Sequence, residues 1–136
     1  MEGDILSKNE IKILLSSALE NLQVVRALVK TYLLLHKIEQ RTIMEILTIT
    51  DELATNVVEH GYQYKTGELM VNLRKEGNVI KLVVEDNGIG FHDGKVSKEE
   101  GGMGLQIARK MSDSFEIIKK VKGTKFEVVK NIKEVY

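Results

Sequence analysis

The sequence predicts an α+β protein, a two-layer sandwich in which helices cover one face of a mixed β-sheet. Two observations support this prediction. Apolar residues recur at helical spacing along two long segments of the N-terminal half, and in two later pairs of segments they alternate with polar residues. The chain has 136 residues, of which 43% are hydrophobic. This is enough for one domain, residues 1–136, with its own hydrophobic core.

The first half of the chain predicts one strand and two helices. The segment EIKILLSS is typical of a strand that enters the domain, and ALENLQVVRALVKTYLLL follows as a helix. Its apolar residues at helical spacing are Leu22, Val25, Leu28, Val29 and Tyr32. A second helix over IEQRTIMEILTITDELATNVVEHGY has the same period. Gly61 is its natural end, because glycine commonly follows the last helical turn.

The second half predicts two hairpins and one more helix. The segment GELMVNLRKEGNVIKLVVED contains two alternating strands around Gly77 and Asn78, a pair that favours a tight hairpin turn. A glycine-rich, charged stretch follows, and MGLQIARKMSDSF then has the period of a helix. The last segment, FEIIKKVKGTKFEVVKNI, is a second strand pair that turns at Lys122 and Gly123.

Charge and composition narrow the classes of partner. Twenty basic and twenty acidic residues leave no net charge, which gives no reason to expect nucleic acid or an anionic membrane as partner. The chain has no Cys and therefore no disulfide framework or thiolate metal site. The first residues, MEGDILSKNE, are acidic and polar where a secretory signal would be basic and then apolar. We expect a cytoplasmic protein.

The second helix carries two polar residues one turn apart, Glu52 and Asn56. Residues four apart on a helix lie on the same face, so the carboxylate and the amide are aimed the same way beside the packed face. By themselves they are either a solvated rim of the helix or the wall of a functional site.

The segment VVEDNGIGF places Asp86 at the end of an apolar strand, with Gly88 and Gly90 after it. Asp-Asn-Gly is also a good turn sequence, and the turn is an equally strong interpretation of the segment alone. The functional interpretation is a carboxylate in an apolar pocket, which needs hydrogen-bond donors such as the exocyclic amine of adenine. Glycines without a Cβ would let the backbone approach such a ligand closely.

A second glycine cluster, Gly101, Gly102 and Gly104, opens the third helix. Backbone N–H groups at a helix N-terminus can bind phosphate, although a flexible loop with a capping glycine would have the same sequence. The cluster is neither a P-loop nor a dinucleotide fingerprint. In the last hairpin, Gly123 and Thr124 by themselves indicate only a turn.

The order of these pieces is more specific than any one of them. A helix with E-x-x-x-N, a strand followed by D-x-G-x-G, a G-G-x-G-L that opens a helix and a final G-T together resemble the GHKL ATPase superfamily of gyrase B, histidine kinases and mismatch-repair ATPases. The resemblance covers nearly the whole chain and implies the Bergerat-type ATP-binding fold. Small size and the stretches DELATNVVEHGY and GGMGLQIARKMSD are most similar to bacterial anti-sigma factor serine/threonine kinases.

The resemblance implies roles for the two polar residues of the second helix. Asn56 would give its amide oxygen to Mg²⁺, a hard cation that takes oxygen ligands. Glu52 would be the general base, which takes a proton from the attacking hydroxyl as the γ-phosphoryl group of ATP is transferred.

The resemblance also implies a nucleotide site. Asp86 would bind the adenine amine, and Thr124 would support Asp86 from the last hairpin. Gly88 and Gly90 would shape the adenine pocket. The glycines expected to bring backbone amides to the phosphates are Gly101, Gly102 and Gly104.

The implied partners are a sigma factor, which the protein would sequester, and a small antagonist protein, which it would phosphorylate. In the anti-sigma kinases an arginine of the first helix belongs to the partner-binding surface, and Arg26 stands at the matching place, although an exposed helical arginine is usually only a solvated charge. The resemblance also implies a homodimer.

Two other functions stay open at this point. One is a nucleotide-gated regulatory binding protein with little or no kinase activity, and the other is a catalytic domain that phosphorylates a separate histidine protein. Only ten residues, FHDGKVSKEE, separate Gly90 from Gly101, where many relatives have a longer ATP lid. The presence of Glu52 favours phosphotransfer, whereas the short lid favours binding alone.

Overall fold

The computed structural model describes residues 5–61, 65–88 and 98–133, with side chains from residue 102 onward in the last range. Over these residues the chain forms five strands, three α-helices and one π-helical turn. In chain order they are β1 Glu10–Ser16, α1 Asn21–Leu35, α2 Gln40–Asn56, the π-helical turn Val57–Gly61, β2 Glu68–Glu76, β3 Val79–Asp86, α3 Lys98–Met111, β4 Ser114–Lys119 and β5 Thr124–Asn131.

The strands form one sheet in the order β1-β2-β3-β5-β4. The sheet and the helices that pack on it confirm the predicted two-layer α+β fold class. The prediction of a mixed sheet was wrong, because every pairing in the described sheet is antiparallel. The connections explain this difference. Helices α1 and α2 carry the chain out and back, so β2 returns antiparallel to β1. Helix α3 is a single crossover that makes β4 run in the direction of β3, but β5 lies between these two strands.

The alternation along the strands sets which side chains enter the core. In β3, Ile80, Leu82 and Val84 are buried, and Asp86 continues the same phase at the strand end. In β5 the buried residues begin with Thr124 and continue with Phe126. Because strand side chains alternate between faces, both polar residues lie on the face that packs against the helices. One end of the core is therefore lined by a carboxylate and a hydroxyl.

Helix α2 lies centrally in the helical layer, because it packs against both α1 and α3. Its buried apolar residues, together with those of the inner sheet face, form the core. Only part of the predicted apolar stripe of α1 is buried in the core, since Val25, Val29 and Tyr32 are buried but Leu28 is 43% exposed. Within the residues that the structure describes, no helix has both the length and the apolar character that a membrane span needs.

Two helix ends differ from the sequence prediction. Helix α2 stops at Asn56, and the turn from Val57 to Gly61 is π-helical, so the chain reaches Gly61 through a wider turn. Helix α3 begins at Lys98, earlier than its apolar period predicts, but its backbone leaves helical geometry at Gly102 (φ 63°, ψ −167°). That conformation is open almost only to glycine. The apolar part of the predicted helix therefore starts after a glycine kink.

Candidate nucleotide-binding site

The C-terminal part of α2 forms one wall of the candidate site. Asn56 is the last residue of the helix and is buried, with 7% of its surface exposed, and Glu52 is half-buried one turn before it. Leu53 and Ala54, which lie between these two polar residues in the chain, are buried in the core. The two polar groups therefore stand at the edge of the packed face and do not form a freely solvated rim.

Glu52 meets α3 at a glycine. An atom placed at the Cβ position of Gly104 would overlap Oε1 of Glu52 and lie 3.4 Å from its Cδ. Only a residue without a side chain lets the carboxylate approach α3 this closely. The kink at Gly102 precedes this contact by half a turn, so the second glycine cluster is brought to the catalytic-base candidate on α2.

Asp86 forms the second wall of the site. Its side chain is 3% exposed, and Oδ1 accepts a hydrogen bond from the backbone N–H of Gly88 at 2.9 Å. The π-helical turn brings Gly61 against this carboxylate, where an added Cβ would lie 3.0 Å from Oδ2 and 3.3 Å from Oδ1. The absence of a side chain at Gly61 thus allows the backbone of the π-helical turn to lie this close to the carboxylate.

The β4–β5 hairpin closes around the backbone of the same residue. Gly123 has a φ of 96°, which side chains rarely adopt, and an added Cβ there would overlap the carbonyl of Asp86 and lie 2.8 Å from Cα of Asn87. Thr124 follows on the inner face, and its buried Oγ1 has no hydrogen-bond partner among the described residues. A buried hydroxyl without a partner is uncommon and indicates a place for a ligand or a water molecule.

Burial raises the pKa of the Asp86 carboxyl above its ordinary value. The N–H of Gly88, the positive charge of Lys120 and the N–H of Thr124 act in the opposite direction, whereas Glu85 adds to the increase. The carboxyl is therefore held in an apolar surrounding with a small number of groups that favour its charge. A perturbed carboxyl in such a position is a candidate for ligand binding.

These contacts fit the adenine group that the sequence predicts. The buried Asp86 carboxylate supplies an acceptor for an amine, the Thr124 hydroxyl supplies a second polar group, and Gly61 and Gly123 allow the backbone to approach Asp86 closely. The π-helical turn joins this wall to the one that carries Glu52 and Asn56. The contacts pair Glu52 with Gly104 and Asp86 with Gly61 and Thr124, and Asn56 lies on α2 one turn after Glu52.

The remaining predicted site residues have different positions. Gly88 donates its backbone N–H to Asp86, Gly102 forms the kink of α3, and Gly101 lies in the first part of that helix. Gly90 lies outside the described residues. Arg26 lies on α1, where it forms an ion pair with Asp51 of α2.

Sequence reasoning missed three residues of this region. From the sequence Gly61 indicates only a helix end, although in the structure it faces Asp86. Asp51 holds Arg26, and Lys120 contacts both chain neighbours of Asp86. No local pattern marks a lysine in a turn or an aspartate on a helix as special. The position of Gly61 after a helix with two polar residues was the one available signal.

The comparisons with known proteins agree with the fold. Residues 15–130 match the family described as the histidine kinase-like ATPase domain. An anti-sigma F factor of Clostridium kluyveri is 32% identical over 92 residues, which cover 60% of this chain and 65% of that protein. An anti-sigma F factor of Anoxybacillus flavithermus is 26% identical over 92% of this chain and 94% of its own length.

Two solved structures share the fold. The RsbU and RsbW domains of a Mycobacterium tuberculosis protein match 92% of this chain with a TM-score of 0.74 and 21% identity, over 32% of that chain. The histidine kinase domain of a blue-light activated histidine kinase from Erythrobacter litoralis matches 67% of this chain with a TM-score of 0.58 and 20% identity, over 45% of that chain. The chain thus spans less than half the length of either solved chain.

Proposed function

The chain belongs to the histidine kinase-like ATPase domain family, and from this premise we propose that it binds ATP with Mg²⁺ and is a protein serine/threonine kinase of the anti-sigma factor type. The observation that carries the proposal is the Asp86 pocket. A carboxylate that is 3% exposed faces Gly61 on one side, and the strand beside it carries the Thr124 hydroxyl, which has no partner within the described part of the chain. In this proposal Asp86 accepts a hydrogen bond from the adenine amine, and Gly88 and Gly90 shape the pocket.

The proposed phosphate side of the site lies between α2 and α3. Gly101, Gly102 and Gly104 bring backbone amides toward the phosphates, which is favoured at the start of a helical segment. Asn56 is the proposed protein ligand of Mg²⁺ through its amide oxygen. When bound, the cation neutralises charge on the β- and γ-phosphates of the nucleotide.

Glu52 is the proposed general base. Its carboxylate takes the proton from a serine or threonine hydroxyl of the substrate protein, the hydroxyl oxygen forms the new bond to the γ-phosphorus, and ADP leaves with the electrons of the broken bond. The half-buried position of Glu52 at the contact of α2 with α3 supports this role, because it stands beside the proposed phosphate-binding glycines.

The proposed partners are a sigma factor and an antagonist protein that serves as the phosphorylation substrate. Two relatives named anti-sigma F factor support this, one of them over 92% of the chain. We propose Arg26 as part of the partner-binding surface and a homodimer as the functional assembly. Light scattering of the protein with nucleotide should report twice the monomer mass at micromolar concentration, and a mass of one chain would reject the homodimer.

The experiment that tests the function compares the effects of substituting Glu52 and Asn56, the two polar residues of α2. The variant Glu52→Ala should bind ATP and Mg²⁺ as the wild type does, and its phosphate transfer should fall by roughly 10²–10⁴-fold, the usual contribution of general base catalysis. The variant Asn56→Ala should lose the Mg²⁺-dependent part of ATP binding as well, because a hard cation loses an oxygen ligand.

Binding is measured by calorimetry with and without Mg²⁺, and transfer is measured with labelled ATP and each candidate antagonist protein. The matched control is Glu59→Ala, which removes a carboxylate from the π-helical turn next to α2. Wild-type transfer by Glu52→Ala would refute the assignment of Glu52 as the general base. A wild-type protein that binds ATP but transfers no phosphate to any candidate antagonist would refute the kinase assignment and leave the second candidate, a nucleotide-gated regulatory binding protein with little or no kinase activity, which the short segment between Gly90 and Gly101 favours.

A further inference from the structure

Lys120 is a lysine of the β4–β5 turn that no motif includes, and it contacts both chain neighbours of Asp86. Its Nζ donates to Oε2 of Glu85 at 2.7 Å and to Oδ1 of Asn87 at 2.8 Å. The side chains of Lys120 and Glu85 are only 21% and 22% exposed. A charged pair with this degree of burial is held more firmly than an exposed one, because solvent screens it less.

The turn that carries Lys120 is itself fixed to β3. The backbone N–H of Lys120 donates to the carbonyl of Gly123 at 3.1 Å and closes the turn. Gly123 in turn lies directly against the backbone of Asp86. On the opposite side, Nδ2 of Asn87 lies 3.4 Å from Oε1 of Glu68 on β2. The end of β3 is thus held between two neighbouring elements, with Lys120 as the cationic contact.

The charge of Lys120 also acts on Asp86 itself. Burial raises the pKa of Asp86, and among the groups that oppose this, Lys120 contributes a full positive charge. Glu85, on the same strand, raises the pKa further, and Lys120 is its ion-pair partner. The other elements packed on Asp86 present uncharged groups to it, namely the N–H of Gly88, the N–H of Thr124 and the Cα of Gly61.

We propose that Lys120 is a positioning residue for nucleotide binding, which holds the segment 85–87 so that the Asp86 carboxylate stays ionised and faces the adenine amine. The inference rests on the proposed function of Asp86. Lys120 acts through Asp86 and its neighbours, without contact to the nucleotide. An ionised carboxylate only accepts hydrogen bonds, whereas a protonated one presents a donor to the amine. Loss of Lys120 therefore weakens binding most at the pH where Asp86 begins to protonate.

The test compares three turn variants by calorimetry with ATP between pH 5.5 and pH 8. Lys120→Met keeps the length of the side chain without its charge, Lys120→Arg keeps the charge, and Lys122→Met is the matched control on an exposed lysine of the same turn. We expect Lys120→Met to bind ATP about tenfold more weakly, because the hydrogen bonds of a charged group that hold the end of β3 are lost. We expect the loss to grow as the pH falls, because Asp86 without Lys120 protonates at a higher pH than in the wild type.

The ATP affinity of each variant is divided by the wild-type affinity at the same pH, because this ratio removes the titration of ATP itself from the comparison. Lys120→Arg and Lys122→Met should follow the wild-type curve. A Lys120→Met protein that unfolds at the wild-type urea concentration and binds ATP with the wild-type affinity at every pH would refute the inference. The variant Asp86→Asn in the same assay tests the proposed function separately, because unchanged ATP affinity there would refute the adenine site whatever Lys120 does.

Discussion

Gly104 of α3 and Glu52 of α2 are in such close contact that a methyl group at Gly104 would overlap the carboxylate oxygen Oε1 of Glu52. The overlapping atom is the end of a flexible side chain and not a backbone atom. A substitution can therefore be accommodated when the carboxylate moves away. A side chain at Gly104 would therefore displace the Glu52 carboxylate, while the folding of α3 depends on other contacts such as those of the buried Leu105 and Ala108.

The substitution Gly104→Ala should separate catalysis from stability. We expect the free energy of unfolding to stay the same or to rise by up to about 1 kcal/mol, because alanine favours a helix over glycine. We expect phosphate transfer to fall at least tenfold, since the displaced carboxylate no longer lies where the proposed base must act. Urea unfolding and labelled-phosphate transfer measure the two effects, and a variant with full transfer would show that the position of Glu52 does not matter.

Gly123 and Gly77 form a matched pair for the second prediction, because both have positive φ angles and occupy hairpin turns. An added Cβ at Gly77 meets nothing within 4 Å, so Gly77→Ala should cost about 1 kcal/mol for the left-handed backbone alone. An added Cβ at Gly123 meets the backbone of Asp86 and Asn87. We expect Gly123→Ala to cost at least about 3 kcal/mol, since strain and a backbone clash combine. Equal urea midpoints for the two variants would contradict this.

Asp86 should destabilise the fold at neutral pH, because burial raises the pKa of its carboxyl above the unfolded value. A raised folded pKa gives stability that is present below the unfolded pKa and is lost as the pH rises through the folded pKa. Asp86→Asn removes the buried charge, so we expect it to be more stable than the wild type at pH 7 by on the order of 1 kcal/mol. The same variant should bind ATP poorly.

The measurement is urea unfolding of both proteins from pH 3.5 to pH 8, with calorimetry for ATP. The difference in the free energy of unfolding should shrink as the pH falls toward the unfolded pKa. A variant that is less stable than the wild type at pH 7 would contradict the sign of the pKa shift. A gain in stability together with loss of ATP binding would mark Asp86 as a residue whose position suits ligand binding better than folding.

Arg26 and Asp51 allow the partner surface to be tested apart from stability. Their ion pair is partly open to solvent, with side chains 42% and 41% exposed, so each single variant should change stability by at most about 1 kcal/mol. If Arg26 contacts a partner protein, Arg26→Ala should weaken that complex, whereas Asp51→Asn should leave it intact because the arginine remains. Equal effects of the two variants on partner binding would show that the ion pair, and not the arginine, is what matters.

The local periods of the sequence were sufficient to predict the helices and strands and part of the candidate site. The alternation in β3 predicts that residues 80, 82, 84 and 86 share one face, and the structure buries Asp86 with the three apolar residues. The turn at Gly77 and Asn78 lies between the two paired strands as predicted. These predictions hold because side-chain direction in a strand and turn geometry depend on adjacent residues only.

Contacts between elements required the tertiary structure. Gly61 lies on Asp86, Gly104 on Glu52 and Lys120 beside Asp86, and in each case the two residues are far apart in the chain. A period in the sequence gives the face of an element but not the element that packs against that face. The order of strands was likewise decided by packing, since β5 enters between β3 and β4 and makes an antiparallel sheet where a mixed one was predicted. The residues and their spacing thus come from the sequence, and the pocket that they form comes from the packing of α2, α3 and the last hairpin around the end of β3.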